Sequence, residues 1–192
     1  VLHPAETPST PTVTKPIETT IAKPIITPLK ISIRTLRYEF LQQWGSDGCD
    51  AGQLRGPVGI AVDENRVAYV TEWDNNRVSA FDSSARFLTS WGFNKGDFDR
   101  PYGIALQAGR IYVTEFDNGR IQVFERTVSE FNNLLTWGTR GTSDGQFISP
   151  SAIAVNQEGR TYVADHGNQR VQVFDKNGQF LDTWGKLGSQ DG

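Results

Sequence analysis

The sequence predicts an all-β fold assembled from copies of one four-stranded unit, and three observations predict it. Trp-Gly pairs stand at Trp44-Gly45, Trp91-Gly92, Trp137-Gly138 and Trp184-Gly185, spaced 47, 46 and 47 residues apart. Between consecutive pairs lie four short runs rich in β-branched and aromatic residues, of strand length and too short for helices. Turn residues punctuate the runs, as in Asp63-Glu64-Asn65, Asp82-Ser83-Ser84 and Lys176-Asn177-Gly178. Four strands per unit at that period are the signature of a propeller-like array.

The units superpose element by element. An inner strand opens at Pro57, Pro101 and Pro150 and continues as Gly59-Ile60-Ala61-Val62, Gly103-Ile104-Ala105-Leu106 and Ala152-Ile153-Ala154-Val155. A second strand follows as Tyr69-Val70-Thr71-Glu72, Tyr112-Val113-Thr114-Glu115 and Tyr162-Val163-Ala164-Asp165. The third is entered through Asn75-Asn76-Arg77-Val78, Asn118-Gly119-Arg120-Ile121 and Asn168-Gln169-Arg170-Val171. The fourth runs through Phe87-Leu88, Leu134-Leu135 and Phe180-Leu181 into the tryptophan. The second unit lengthens its last hairpin, with 13 positions from Phe124 to Trp137 against 10 in the other two.

At these residues the chain resembles the NHL-repeat family, whose consensus couples Pro-x-Gly-Ile-Ala-Val, Tyr-Val-Ala-Asp and Asn-x-Arg-Ile-Gln-Val-Phe strands. Residues 161–174, TYVADHGNQRVQVF, match it best. The departures are Glu72 and Glu115 for the usual Asp and Ala152 for the Gly. The resemblance covers roughly residues 38 to 192. It implies a β-propeller of four-stranded antiparallel blades, usually six in this family.

On that basis the chain holds three complete blades, about 57–92, 101–138 and 150–185, within a propeller segment spanning 29–192. An outer half-blade, 29–45, precedes them. There Tyr38 to Gly45 aligns with an outermost strand, while Leu29, Ile31 and Ile33 alternate with polar residues as its neighbour would. Residues 185–192 copy the linker at 138–145. Three blades leave terminal faces uncovered, so we expect either a stretch of a longer protein or closure by assembly, with residues 11–37 acting as an intermolecular strand.

Residues 1–28 carry six of the nine prolines and seven threonines, a composition that builds no packed core and reads as an extended Thr/Pro-rich spacer. No apolar stretch marks it as a signal peptide. Composition over the whole chain is that of a globular protein, 37% hydrophobic and 21% charged, with no run suited to a membrane helix. The single Cys49 rules out an internal disulfide; it is a spare thiol or an interchain link.

Two sets of side chains are candidates for function. Glu72, Glu115 and Asp165, with Asn75, Asn118 and Asn168 and with Arg77, Arg120 and Arg170, recur in every unit. A carboxylate, a turn-forming Asn and an Arg at this spacing close a tight turn through charge-assisted hydrogen bonds. A catalytic group is needed once, so recurrence favours a structural role. The second set varies. One turn position carries Trp73, Phe116 and His166 in succession, and Tyr102 stands where the other units have Val58 and Ser151. Aromatic groups in loops serve as anchors for a partner or a sugar ring, or else pack on neighbouring blades. We assign the candidate contact face to Trp73, Phe116, His166 and Tyr102.

A propeller lyase of the kind that resembles this family needs several histidines; this chain has His3 and His166. No nucleophile motif, phosphate loop or metal-ligand set is recognisable, and no cofactor is expected. A nucleic-acid binder needs a basic face, whereas the formal net charge is −3 and falls on residues 29–192. The expectation is therefore a non-catalytic scaffold at the cell surface or outside the cell. Its partner is a protein or further copies of itself, as a homo-oligomer or as part of a longer chain. The alternative is a fragment of a six-bladed lyase-type enzyme or of a carbohydrate- or ligand-binding propeller.

Overall fold

The computed structural model describes residues 39–92, 97–127 and 130–185. The spacer at 1–28, the first ten residues of the half-blade and the segment 11–37 offered as an intermolecular strand lie outside them. The chain divides after Leu41, and every sheet belongs to the unit Gln42–Gly192.

Three antiparallel four-stranded sheets follow in chain order, each with its strands in sequence order from inner to outer. The first contains β1 (Pro57–Val62), β2 (Ala68–Glu72), β3 (Arg77–Phe81) and β4 (Phe87–Trp91). The second contains β5 (Pro101–Gln107), β6 (Arg110–Glu115), β7 (Arg120–Arg126) and β8 (Phe131–Trp137). A short parallel pair, β9 (Thr139–Arg140) with β10 (Gln146–Phe147), braces the linker. The third sheet contains β11 (Pro150–Val155), β12 (Thr161–Asp165), β13 (Arg170–Phe174) and β14 (Phe180–Trp184). The long hairpin expected of the second unit is present, β7 and β8 having seven residues each.

Each inner strand carries the same bulge. Pro57 pairs with Glu72 but Ile60 with Val70, so one extra residue sits between them; Pro101–Ile104 and Pro150–Ile153 repeat the shift. In the first two blades a threonine hydroxyl repairs the ladder there. Gly59 N–H donates to Thr71 Oγ1 at 2.8 Å, and Thr71 donates onward to the Tyr102 carbonyl of the next blade at 2.6 Å. Gly103, Thr114 and the Ser151 carbonyl repeat this at 2.8 and 2.7 Å. The approach is close enough to demand glycine: a Cβ on Gly59 would stand 2.4 Å from the Tyr102 carbonyl oxygen, and one on Gly103 2.2 Å from that of Ser151. The third unit changes both positions together, to Ala152 and Ala164.

The Trp-Gly ladder is the second inter-blade device. Trp91 meets Phe124 of the next blade and Trp137 meets Phe174, both with ring centres 5.9 Å apart, while Trp44 reaches Phe81 at 4.6 Å. Phe131, on the lengthened hairpin, stacks on Trp91 at 3.7 Å and 9°. Trp184 contacts Tyr162 of its own blade and is 52% exposed. Behind each tryptophan, Gly92 and Gly138 hold φ of 98° and 90°, with Phe98 and Phe147 packed where a side chain would stand.

Of the expected half-blade, 29–38 lies outside the described residues, and residues 39–46 run in irregular backbone. The uncovered face of the first blade is as expected. Ile104 on β5 is 8% exposed beneath the first blade, whereas Ile60, at the same position on β1, is 61% exposed, flanked by Val58 and Val62.

Candidate functional site

The recurring polar cluster is a closed hydrogen-bond lattice. Glu72 is fully buried; its Oε1 accepts from Arg77 Nε at 2.6 Å and Ser79 Oγ at 2.5 Å, and its Oε2 from Asn75 Nδ2 at 2.6 Å and the Arg55 amide at 3.0 Å. Glu115 accepts from Arg120 Nε, Gln122 Nε2, Asn118 Nδ2 and the Asp99 amide. Asp165 accepts from Arg170 Nε, Gln172 Nε2, Asn168 Nδ2 and the Ile148 amide. Four donors use up a carboxylate's acceptor sites, so each of the three is spent inside its own lattice.

The arginines extend the lattice into the linker ahead of each blade. Arg77 donates to the Cys49 and Gln53 carbonyls at 2.7 and 2.8 Å, and Arg170 to those of Ser143 and Gln146 at 2.7 and 2.9 Å. The turn closure expected from sequence is thus present in all three blades. Sequence reasoning missed the third side-chain donors, Ser79, Gln122 and Gln172, the backbone amides of Arg55, Asp99 and Ile148, and the linker carbonyls. The linker contacts lie 24 to 28 residues upstream of their arginine, beyond any local spacing signal.

The aromatic candidates stand at the same end of the blades, where β2 turns into β3 and the next inner strand begins. Trp73 meets Phe116 at 4.9 Å and Tyr102 edge-on at 5.5 Å. Tyr102 stacks against Phe116 at 5.7 Å and 29°, and Phe116 reaches His166 at 6.5 Å. All four predicted residues therefore form one row across three blades. Trp73, Tyr102 and Phe116 are half-buried, packing on neighbouring blades while keeping an accessible side, and His166 is exposed. In the third blade this turn is a single 3-10 turn at His166–Asn168, closed by Gln169 in the left-handed region at φ 55°.

One cation orders the row. Arg100 lies 5.1 Å from the Trp73 ring centre, pairs with Asp117 at 3.0 Å, and donates its amide to Asn76 Oδ1 at 2.8 Å. The sequence offered no repeated signal for Arg100. Its role follows from the approach of the first two blades. The result is a shallow aromatic ledge with a fixed charge pair beside it, suited to holding a surface rather than enclosing a reacting group. Among the described residues no cluster of three or more His, Cys, Asp or Glu is placed to hold a metal, and no helix is long and apolar enough to cross a membrane.

The family model of the NHL repeat matches residues 98–124 and 147–174. No curated protein matches the sequence. Among solved structures, a gluconolactonase from Xanthomonas campestris is similar with a TM-score of 0.57 at 16% identity, over 71% of this chain and 49% of its own. Virginiamycin B lyase from Staphylococcus aureus gives 0.54 at 14% identity, over 69% of this chain and 42% of its own. A chain of a nidogen/laminin complex gives 0.52 at 18% identity, over 70% of this chain and 52% of its own. The chain thus spans about half or less of these structures, and at such identities the likeness is one of fold.

Proposed function

We propose that this chain, an NHL-repeat protein, is a non-catalytic propeller scaffold for protein interaction at the cell surface or outside the cell, with Trp73, Tyr102, Phe116 and His166 as its contact face. The observation that carries the reading is the row itself. The residues that differ between repeats are the ones gathered on a single accessible ledge, whereas the acids and bases that recur are spent on one another. Half-buried aromatic side chains with an adjoining Arg are the groups that dominate binding energy at protein interfaces. A fold neighbour is a chain of a nidogen/laminin complex, in keeping with a protein partner. The same reading includes self-assembly through the uncovered apolar face at Val58, Ile60 and Val62.

The test is binding to a panel of extracellular-matrix proteins, laminin among them, alongside a glycan array. We expect a protein partner whose affinity falls about 30-fold or more when Trp73, Phe116 and His166 are all replaced by Ser. No partner in the panel, or a partner indifferent to the replacement, contradicts the reading. Glycan binding that the replacement abolishes would favour the carbohydrate-binding alternative. Turnover of a gluconolactone or of virginiamycin B would favour the enzymatic one, since a gluconolactonase and a virginiamycin B lyase share the fold.

A further inference from the structure

At the opposite end of the first two blades, a cleft of about 910 Å³ opens between the β1–β2 turn, the β5–β6 turn and the end of β7 at Arg126 and Thr127. Its volume falls in the range of small-molecule sites. Val67 and Ile111, both buried, and the half-buried Leu106 give it apolar walls. Tyr69, 2% exposed, lines it as well. The Tyr69 hydroxyl donates to Asp63 Oδ2 and accepts from Arg126 Nη1, both at 3.1 Å. Asp63 Oδ1 accepts from the Val67 amide at 2.8 Å, so both oxygens of that carboxylate are engaged within the protein.

One guanidinium remains on the apolar face. Arg126 lines the cleft, is exposed and forms no ion pair among the described residues, whereas Arg110, paired across the sheet with Gln107 and Glu125, stands at the cleft's edge on the other face of the sheet. Among the described residues Arg126 is held through its partner Tyr69, which fixes its place while leaving further N–H donors for a ligand. Glu64 stands exposed at the rim, where solvent and salt screen its charge. Among the described residues the arrangement occurs once. At the next joint Gln107 stands in the place of Asp63 and Lys176 in that of Arg126, and the short third hairpin lacks the extension that carries Arg126. A feature that every blade needed would recur, as the carboxylate lattice does.

We propose that this cleft binds a small carboxylic acid with an apolar body, its carboxylate received by Arg126 and its body laid on Val67, Leu106 and Ile111. A planar carboxylate matches the fork of a guanidinium, and an apolar wall beside a cation selects an amphipathic anion over an inorganic one. The site is independent of the aromatic ledge and goes beyond the scaffold reading.

The experiment follows methyl and Arg Nε–Hε resonances of the full chain as phenylacetate, phenylacetamide and phenyl phosphate are titrated to millimolar concentration. Phenylacetate is expected to shift the signals of Ile111, Val67 and Arg126 and to bind about tenfold or more tighter than the amide. Arg126→Gln should weaken it about tenfold, with circular dichroism unchanged because the side chain is exposed, whereas Arg110→Gln, on the other face of the sheet, should leave it within about twofold. Replacing Trp73, Phe116 and His166 by Ser should leave it intact, so the two sites fail separately. Preference for phenyl phosphate that Arg126→Gln removes would overturn the carboxylate assignment. Equal binding of acid and amide, affinity unchanged in Arg126→Gln, or no shift with any probe would overturn the site.

Discussion

Arg77 Nε donates to Glu72 Oε1 at 2.6 Å, with the two side chains 3% and 0% exposed. The pair is repeated in form but not in burial: Arg170 beside Asp165 is 11% exposed and Arg120 beside Glu115 is 29% exposed. Removing one partner of a buried pair strands the other charge, at about 3–5 kcal/mol. Arg77→Ala should lose stability on that scale, more than Arg120→Ala, because both strand a fully buried carboxylate but Arg120 itself lies nearer solvent and fills less buried space. Urea unfolding midpoints of the two variants check the order.

The tryptophans should be unequal as well. Trp91 is held by Phe131, Phe124 and Tyr69, so Trp91→Ala should cost about 3–5 kcal/mol, as large-to-small core changes do. Trp184 has one aromatic neighbour and lies half in solvent, so Trp184→Ala should cost about 1 kcal/mol or less. Equal losses would show that the ladder is not an inter-blade device.

Thr71 and Thr114 bridge successive blades, and neither is replaceable by a residue of similar shape without a hydroxyl. Thr71→Val strands the Gly59 amide and the Tyr102 carbonyl and should cost about 1–3 kcal/mol by thermal unfolding. Ser at the same position should recover most of it.

Alkaline titration probes the Tyr69 phenol. Burial pushes it above its ordinary value of 10.0, outweighing the neighbouring Arg126 guanidinium that holds it down. The folded state therefore keeps a proton that the unfolded state releases. This contribution is fully present below pH 10.0 and is lost as pH rises through the folded value. Tyr69→Phe should flatten that part of the stability–pH curve, and phenolate absorbance in the native protein should appear later than in the unfolded chain.

The strands, their order and the long hairpin were legible in the sequence because each blade is a local unit whose alternation and turns repeat. The carboxylate–Asn–Arg turn was legible for the same reason. What joins blades was not. Gly59 reads as a turn-prone residue and Thr71 as a β-former, and only the approach of Tyr102 shows why they occur together and change together to Ala152 and Ala164. The aromatic row was found by asking where repeats differ, yet its continuity, and the part played by Arg100, depend on how two blades meet. The Asp63–Tyr69–Arg126 relay escaped for the same reason, its members lying 6 and 57 residues apart.

The central claim is that partners meet this protein at the ledge where its repeats differ. Hydrogen exchange with and without the tightest-binding protein of the panel tests it most directly. The account predicts slowed exchange at residues 73–76, 100–102, 116–119 and 166–169, with the turns at 63–66, 108–110 and 156–160 unchanged. Protection confined to those opposite turns, or to the uncovered β1 face, would contradict it.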